Sequence, residues 1–143
     1  MLNLFRKKST SVEKPKTLGQ LGEEFAQTVY LQNGFKIIGA NVFNTKGLRR
    51  GEIDFVASNK QKIIFVEVKT RSGGSRFGSA EESVNFFKQQ KILKAVKWYL
   101  LANPEYVKLI PQIDVCIVEH GLVDKTFNCA KIISNAVEDI NSG

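Results

Sequence analysis

Apolar and polar residues alternate along two neighbouring stretches of this chain, and in both the alternation places charge inside an apolar run. In the second stretch, Ile63, Phe65, Glu67 and Lys69 share one face of a predicted strand, with Ile64, Val66, Val68 and Thr70 on the other. In the first, Glu52 to Ser58, one side carries Glu52, Asp54 and Val56. Between them lies the polar run Ser58-Asn59-Lys60-Gln61, so the two strands are predicted to form a hairpin. A two-residue loop at Asn59-Lys60 would set Glu52 opposite Glu67, and a slip of two would set Asp54 opposite Glu67. Only a one-residue slip would take Glu52, Asp54, Glu67 and Lys69 off a common face.

The same reading extends outward. Thr17 and Gln20 make a capping box that opens a helix through about Asn33, with Gly34 to stop it. Leu18, Leu21, Phe25 and Val29 supply its apolar stripe, and Gly19, Glu23, Ala26 and Tyr30 a neighbouring face small enough to let another backbone approach. Phe35 to Val42 is a first strand, and Ser72-Gly73-Gly74-Ser75 a loop after the hairpin. Ser79 and Glu82 open a long helix to about Ala102, ended by Asn103-Pro104. On it Val84, Ile92, Ala95 and Tyr99 define the inner face, Lys88 and Lys91 fall among them with Lys91 expected to snorkel to the helix edge, and Lys94 and Lys97 point away. Ile113 to Glu119 is a fourth strand, followed by a short strand near Phe127. The order helix, three strands, helix, strand predicts an α/β fold with a mixed sheet, its fourth strand brought in parallel by the helical crossover.

Ionised groups in apolar strands are costly unless paired. Three carboxylates beside one lysine repel one another unless a cation sits among them, and oxygen donors alone suit Mg²⁺ or Mn²⁺. The competing account is a structural ion-pair network, which stabilises a fold poorly. Glu52 is either a third ligand or the partner of Arg49 or Arg50. Arg71, Arg76 and Phe77 flank the glycine-rich loop, where they either grip a phosphate backbone and stack on a base or are incidental to a loop.

The ordered set Gly19, Gly22, Glu23, Ala26, Gly34-Phe35, Asn41, Gly51-Glu52-Ile53-Asp54, Phe65-Val66-Glu67-Val68-Lys69-Thr70-Arg71, Phe77-Gly78, Val84, Lys88 and Asp114-Val115 resembles the YraN-like family of small bacterial proteins. Its Asp and Glu-x-Lys resemble the PD-(D/E)xK signature of restriction-endonuclease-like nucleases, with Ile53 in place of proline. The resemblance implies an αβββαβ endonuclease-like core and a Mg²⁺- or Mn²⁺-dependent hydrolysis of DNA phosphodiesters, in branched or single-stranded DNA. Asp54 and Glu67 would hold the ion with the Val68 carbonyl, and Lys69 would act on water or phosphate. Glu23 would add a carboxylate, as a glutamate does in archaeal Holliday-junction resolvases, and Lys88 would approach the cluster or a phosphate. One departure is Gln112-Ile113, where the family commonly has an arginine. The alternative is a non-catalytic adaptor that binds nucleic acid or a DNA-processing partner.

Composition narrows the remaining classes. The 143 residues are 43% hydrophobic and 24% charged, in the range of one globular domain. The net charge of +7 is uneven, with Arg6, Lys7, Lys8, Lys14 and Lys16 against Glu13 placing +4 in residues 1–17. Residues 1–17 are therefore expected to be a disordered basic tail, and 18–143 the single domain. No apolar run reaches the ~18 residues of a membrane span, and the start of the chain does not read as a signal peptide. His120 is the only histidine, which excludes a His-based zinc site or triad, and no Gly-Lys-Ser/Thr marks a phosphate loop. Cys116 and Cys129, at no metal-binding spacing, fit a reduced cytoplasmic protein. Expected partners are DNA, a DNA-processing protein and a second copy of the chain, with no membrane.

Overall fold

The computed structural model describes residues 12–42, 53–73 and 86–134. The sequence places α1 at Leu18–Gln32, where Thr17 Oγ1 accepts from the Gln20 N–H at 3.2 Å and Gln20 Oε1 accepts from the Thr17 N–H at 2.9 Å. Asn33 caps the other end, and Gly34 at φ +86° turns the chain out of the helix, a conformation that costs glycine nothing. Strands β1 Lys36–Val42, β2 Ile53–Ser58 and β3 Lys62–Ser72 follow. Helix α2 covers Phe86–Ala102, a 3₁₀ turn Pro104–Tyr106, and strands β4 Ile110–His120 and β5 Phe127–Ser134 complete the described chain. No helix of the described residues is long and apolar enough to cross a membrane.

The five strands lie in sequence order, β1 to β5, antiparallel except for the parallel β3–β4 pair. The sequence reading is met in element order and in that crossover. It undersold β5, which at eight residues pairs with β4 along most of its length. Strand β3 is central, and its run Ile63 to Val66 is buried because helices cover both of its faces. Toward α2 lie Val56, Ile63, Phe65 and Ile113, packed on Ile92, Ala95, Val96 and Tyr99. Toward α1 lie Phe55, Ala57, Ile64, Val66, Cys116 and Val118, packed on Ala26 and Tyr30. Edge-on aromatic pairs stitch each layer, Phe65 to Tyr99 at 5.6 Å and Tyr30 to Phe55 at 5.3 Å between ring centroids.

Asn59 decides the hairpin register. Its side-chain oxygen accepts from the N–H groups of Gln61 (2.8 Å) and Lys62 (2.7 Å), closing the connection Asn59 to Gln61 between the strands in place of a two-residue one. Ser58 therefore pairs with Ile63 and Phe55 with Val66, which is the register slipped by two.

Helix α1 differs from expectation in the face it buries. Gly22, Ala26 and Tyr30 are its buried residues, whereas Leu18 and Leu21 remain 37% and 38% exposed. The small residues win because they let the helix backbone come down onto β3. A Cβ on Gly22 would lie 1.9 Å from Thr70 Oγ1 and 3.0 Å from two Thr70 carbons. Alanine gains about 1 kcal/mol of helix propensity over glycine, but overpacking costs about 1–3 kcal/mol. Gly22→Ala should thus destabilise by up to about 2 kcal/mol in urea unfolding, the 1.9 Å approach favouring the upper end. Thr70→Ala should reverse most of that loss in the double variant, a coupling that two independent effects would not show.

Candidate metal centre

One step beyond the last paired residues of β2 and β3, Phe55 and Val66, stand Asp54 and Glu67. The strands part here. Continuing the alternation, the Val68 N–H would donate to the Ile53 carbonyl, but it donates to Asp54 Oδ2 at 2.7 Å instead. The N–H and carbonyl of a strand residue point to the same side, so the Val68 carbonyl also faces β2. Two residues beyond Glu67 on β3, Lys69 sets its Nζ 3.5 Å from Glu67 Oε1, and these side chains are only 20% and 12% exposed.

Helix α1 supplies a third carboxylate. The close approach of Gly22 to Thr70 carries Glu23 to Asp54, and the two carboxyl groups are hydrogen-bonded. Burial first, then the Glu67 and Glu23 charges, push the Asp54 carboxyl up to about 7, with the Val68 N–H working in the opposite direction. Burial also raises Glu23, reinforced by Glu67 and opposed by its bond to Asp54. Their shared hydrogen bond raises Asp54 and lowers Glu23, so it favours the proton on Asp54.

These groups suit a hard divalent ion in kind. All are oxygen donors, they are crowded enough to hold a proton near neutrality, and Lys69 offsets only part of their charge. Among the described residues no three Asp, Glu, His or Cys side chains are arranged around one point as an ion cage. Ligation here would rest on Asp54, Glu67 and the Val68 carbonyl with water completing the shell, an arrangement Mg²⁺ favours.

Of the other expected residues, Arg71 follows Lys69 on the same side of β3, half-buried, with a buried Nε that has no hydrogen-bond partner among the described residues. Glu52, Arg76 and Phe77 lie outside the described residues, and so does the Ser79–Glu82 capping box. Lys88 lies in the first turns of α2, and its side chain is likewise outside what is described. Lys91 is exposed, as expected of a lysine that snorkels to the helix edge. An open recess lined by Gly34, Lys36 and Ser58 to Gln61 sits at the hairpin tip, roughly 13 Å along β2 from Asp54, and plays no part in this cluster.

Two arrangements had no counterpart in the sequence reading. Asp114 on β4 is 2% exposed and accepts from the Tyr30 hydroxyl at 2.6 Å and from Gln112 Nε2 at 2.8 Å. Burial and Asp114 together raise the Tyr30 phenol, so it stays a donor. The cost logic applied to Asp54 holds equally for an aspartate between Ile113 and Val115, and would have found it. Tyr30→Phe should cost about 1.5–3 kcal/mol, the scale of a hydrogen bond to a buried charge, read as a lower urea midpoint at unchanged slope. An unchanged midpoint would mean that water replaces the phenol. Secondly, Cys116 and Cys129, 13 residues apart, are brought by the β4–β5 pairing to an Sγ–Sγ distance of 3.9 Å. Both are free, and burial followed by the neighbouring thiol raises Cys116, which keeps it an unreactive thiol.

Comparison with known proteins places this geometry in a wider set. Residues 22–118 match the model of the uncharacterised protein family UPF0102. A UPF0102 protein of Caldanaerobacter subterraneus subsp. tengcongensis is 41% identical over 100 residues, 70% of this chain and 77% of that one. One from Clostridium botulinum (strain 657) is 35% identical over 123 residues, 86% of this chain and 95% of the other. One from Chlorobium phaeobacteroides is 39% identical over 90 residues, 63% and 68% of the two chains.

Proposed function

We propose that this chain, which belongs to the uncharacterised protein family UPF0102, is a Mg²⁺- or Mn²⁺-dependent nuclease that hydrolyses DNA phosphodiesters. The observation that carries the reading is the convergence of Glu23, Asp54 and Glu67 where β2 and β3 separate, with Lys69 at Glu67. A structural salt-bridge network has no use for a carboxyl excess that leaves one member protonated near neutrality. A metal-assisted hydrolase does.

Asp54, Glu67 and the Val68 carbonyl would hold the ion. Its contribution would be Lewis-acid chemistry, polarising a phosphate oxygen and acidifying water. Lys69, held 3.5 Å from Glu67 Oε1, would orient the attacking water or neutralise charge that develops on the phosphate. Arg71, further along the same side of β3, has a guanidinium suited to the adjacent phosphate. Glu23 restrains the Asp54 carboxyl through their hydrogen bond.

The test is a panel of single-stranded, duplex, flap and four-way-junction DNAs, each with Mg²⁺, with Mn²⁺ and with chelator. Cleavage of at least one substrate that requires the ion is the expected result. If the protein binds Mn²⁺ but cuts none of them above the chelated control, the enzymatic reading falls and a DNA-binding adaptor becomes the better account.

A further inference from the structure

Helix α2 carries a charge pattern that neither the fold nor the acidic cluster uses. Its sequence, FFKQQKILKAVKWYLLA, contains four lysines and no acidic residue. Lys91, Lys94 and Lys97 are all exposed and three residues apart, Lys94 and Lys97 on the side opposite the buried Ile92, Ala95, Val96 and Tyr99 and Lys91 at the edge of that buried face. Like charges at this spacing repel and lower helix stability. None of the three is in the helix's last turn, where its dipole would favour a cation. Among the described residues no carboxylate forms a salt bridge with any of them. The ridge therefore costs the helix stability and, among the described residues, gains no ion pair in return.

Its position suggests what does return something. Strand β3 runs from Lys62 toward the acidic cluster and Ser72, whereas β4 begins at Ile110 beside Lys62. Since α2 connects the far end of β3 back to the start of β4, its N-terminal end lies toward the cluster and its C-terminal end away from it. The ridge thus leads away from the metal centre along the outside of the molecule. At 1.5 Å per residue, Lys91 to Lys97 spans about 9 Å. Phosphates of one duplex strand advance about 3.4 Å per nucleotide along the axis, so the ridge matches two to three of them. Its neighbours on that side are Gln90, Leu101 and the half-buried Trp98, with no arginine among them, and the three ammonium groups suit phosphate contact.

We infer that Lys91, Lys94 and Lys97 form the seat for a duplex DNA arm, gripping the phosphate backbone of one strand while the nucleic acid extends from the metal centre. The inference rests on the reading of DNA as the substrate, and extends it from the cutting site to the surface that holds the uncut duplex.

The experiment measures binding of a 20-base-pair duplex by fluorescence anisotropy across a salt series, in chelator so that no cleavage intervenes. The variant is Lys91→Gln/Lys94→Gln/Lys97→Gln, glutamine being nearly as good a helix former as lysine. A second variant, Lys36→Gln/Lys60→Gln/Lys125→Gln, removes the same charge elsewhere. The ridge variant should lose roughly 2–3 from the slope of log affinity against log salt, and bind at least about tenfold more weakly at 50 mM salt. The second variant should keep the wild-type slope.

An equal loss in both lysine variants would make the attraction diffuse and overturn the seat. So would an unchanged slope in the ridge variant, or a wild type that binds anionic phosphatidylserine vesicles but no duplex. If the ridge dependence holds while no DNA on the panel is cut, the seat stands and the nuclease reading alone falls.

Discussion

Asp54→Asn is expected to abolish specific Mn²⁺ binding, followed by calorimetry, while making the ion-free protein more stable at pH 8. Both outcomes have one cause. In the native fold burial and the carboxylates of Glu67 and Glu23 raise the Asp54 carboxyl from its ordinary 3.8 to about 7. A carboxyl that holds its proton more tightly when folded stabilises the native state fully below about 4, and that stability is lost as pH rises through about 7. At pH 8 the ion-free protein therefore bears the cost of three crowded carboxylates. Asparagine keeps an oxygen for the Val68 N–H and offers an amide to Glu23, so the gain should be on the order of 2 kcal/mol, with Glu23 and Glu67 sharing the rest. Wild-type Mn²⁺ affinity should in turn rise about fivefold between pH 6 and pH 7, because the ion displaces a proton from a carboxyl raised to about 7. Undiminished affinity in the Asn variant would locate the ion elsewhere.

Lys69→Ala should do the reverse to the chemistry and little to the ion. Cleavage in Mg²⁺ is expected to fall by roughly two orders of magnitude or more, the scale on which electrostatic catalysts act. DNA affinity should stay within a few-fold, since one partly buried ammonium adds little to a backbone-wide attraction. Removing the cation 3.5 Å from Glu67 Oε1 leaves that carboxylate freer to bind an ion, so Mn²⁺ affinity should hold or tighten. Lys69→Arg should not restore the rate, because a planar guanidinium cannot occupy the space of a compact ammonium. A Lys69→Ala protein that cuts at the wild-type rate would remove the lysine from the mechanism and leave it as a partner of Glu67.

Much of the fold was legible before any coordinates, for identifiable reasons. The Thr17–Gln20 cap is a local exchange of two hydrogen bonds, and local signals of that kind survive in any tertiary context. The long helical crossover allowed β4 to come in parallel to β3, and it does. The residues at which β2 and β3 part were less legible, because their register hangs on one side chain. Asn59 closes a longer turn than the dipeptide Asn59-Lys60 suggests. The slip of two leaves the faces unchanged, so Asp54 and Glu67 were in view while their pairing was open. Helix α1 misled in a different way. Its apolar stripe through Leu18 and Leu21 has more hydrophobic surface, but depth of approach favoured Gly22 and Ala26, and no hydropathy count registers depth. That same approach brings Glu23 to Asp54, a contact that spacing along the chain cannot express.

The last rung between β2 and β3 is a side chain, with Asp54 Oδ2 holding the proton donor of Val68. Backbone rungs exchange their amide hydrogens with solvent only when the sheet opens, and they report on the fold as a whole. This rung reports on one carboxylate. Whatever claims the lone pairs of Asp54 must weaken the grip on the Val68 amide, so its NMR resonance and deuterium uptake become a gauge of what the centre contains. The neighbouring Val66 amide, in an ordinary rung, serves as the internal standard. A single labelled valine pair thus offers a readout of the centre's occupancy that needs neither a substrate nor an assay.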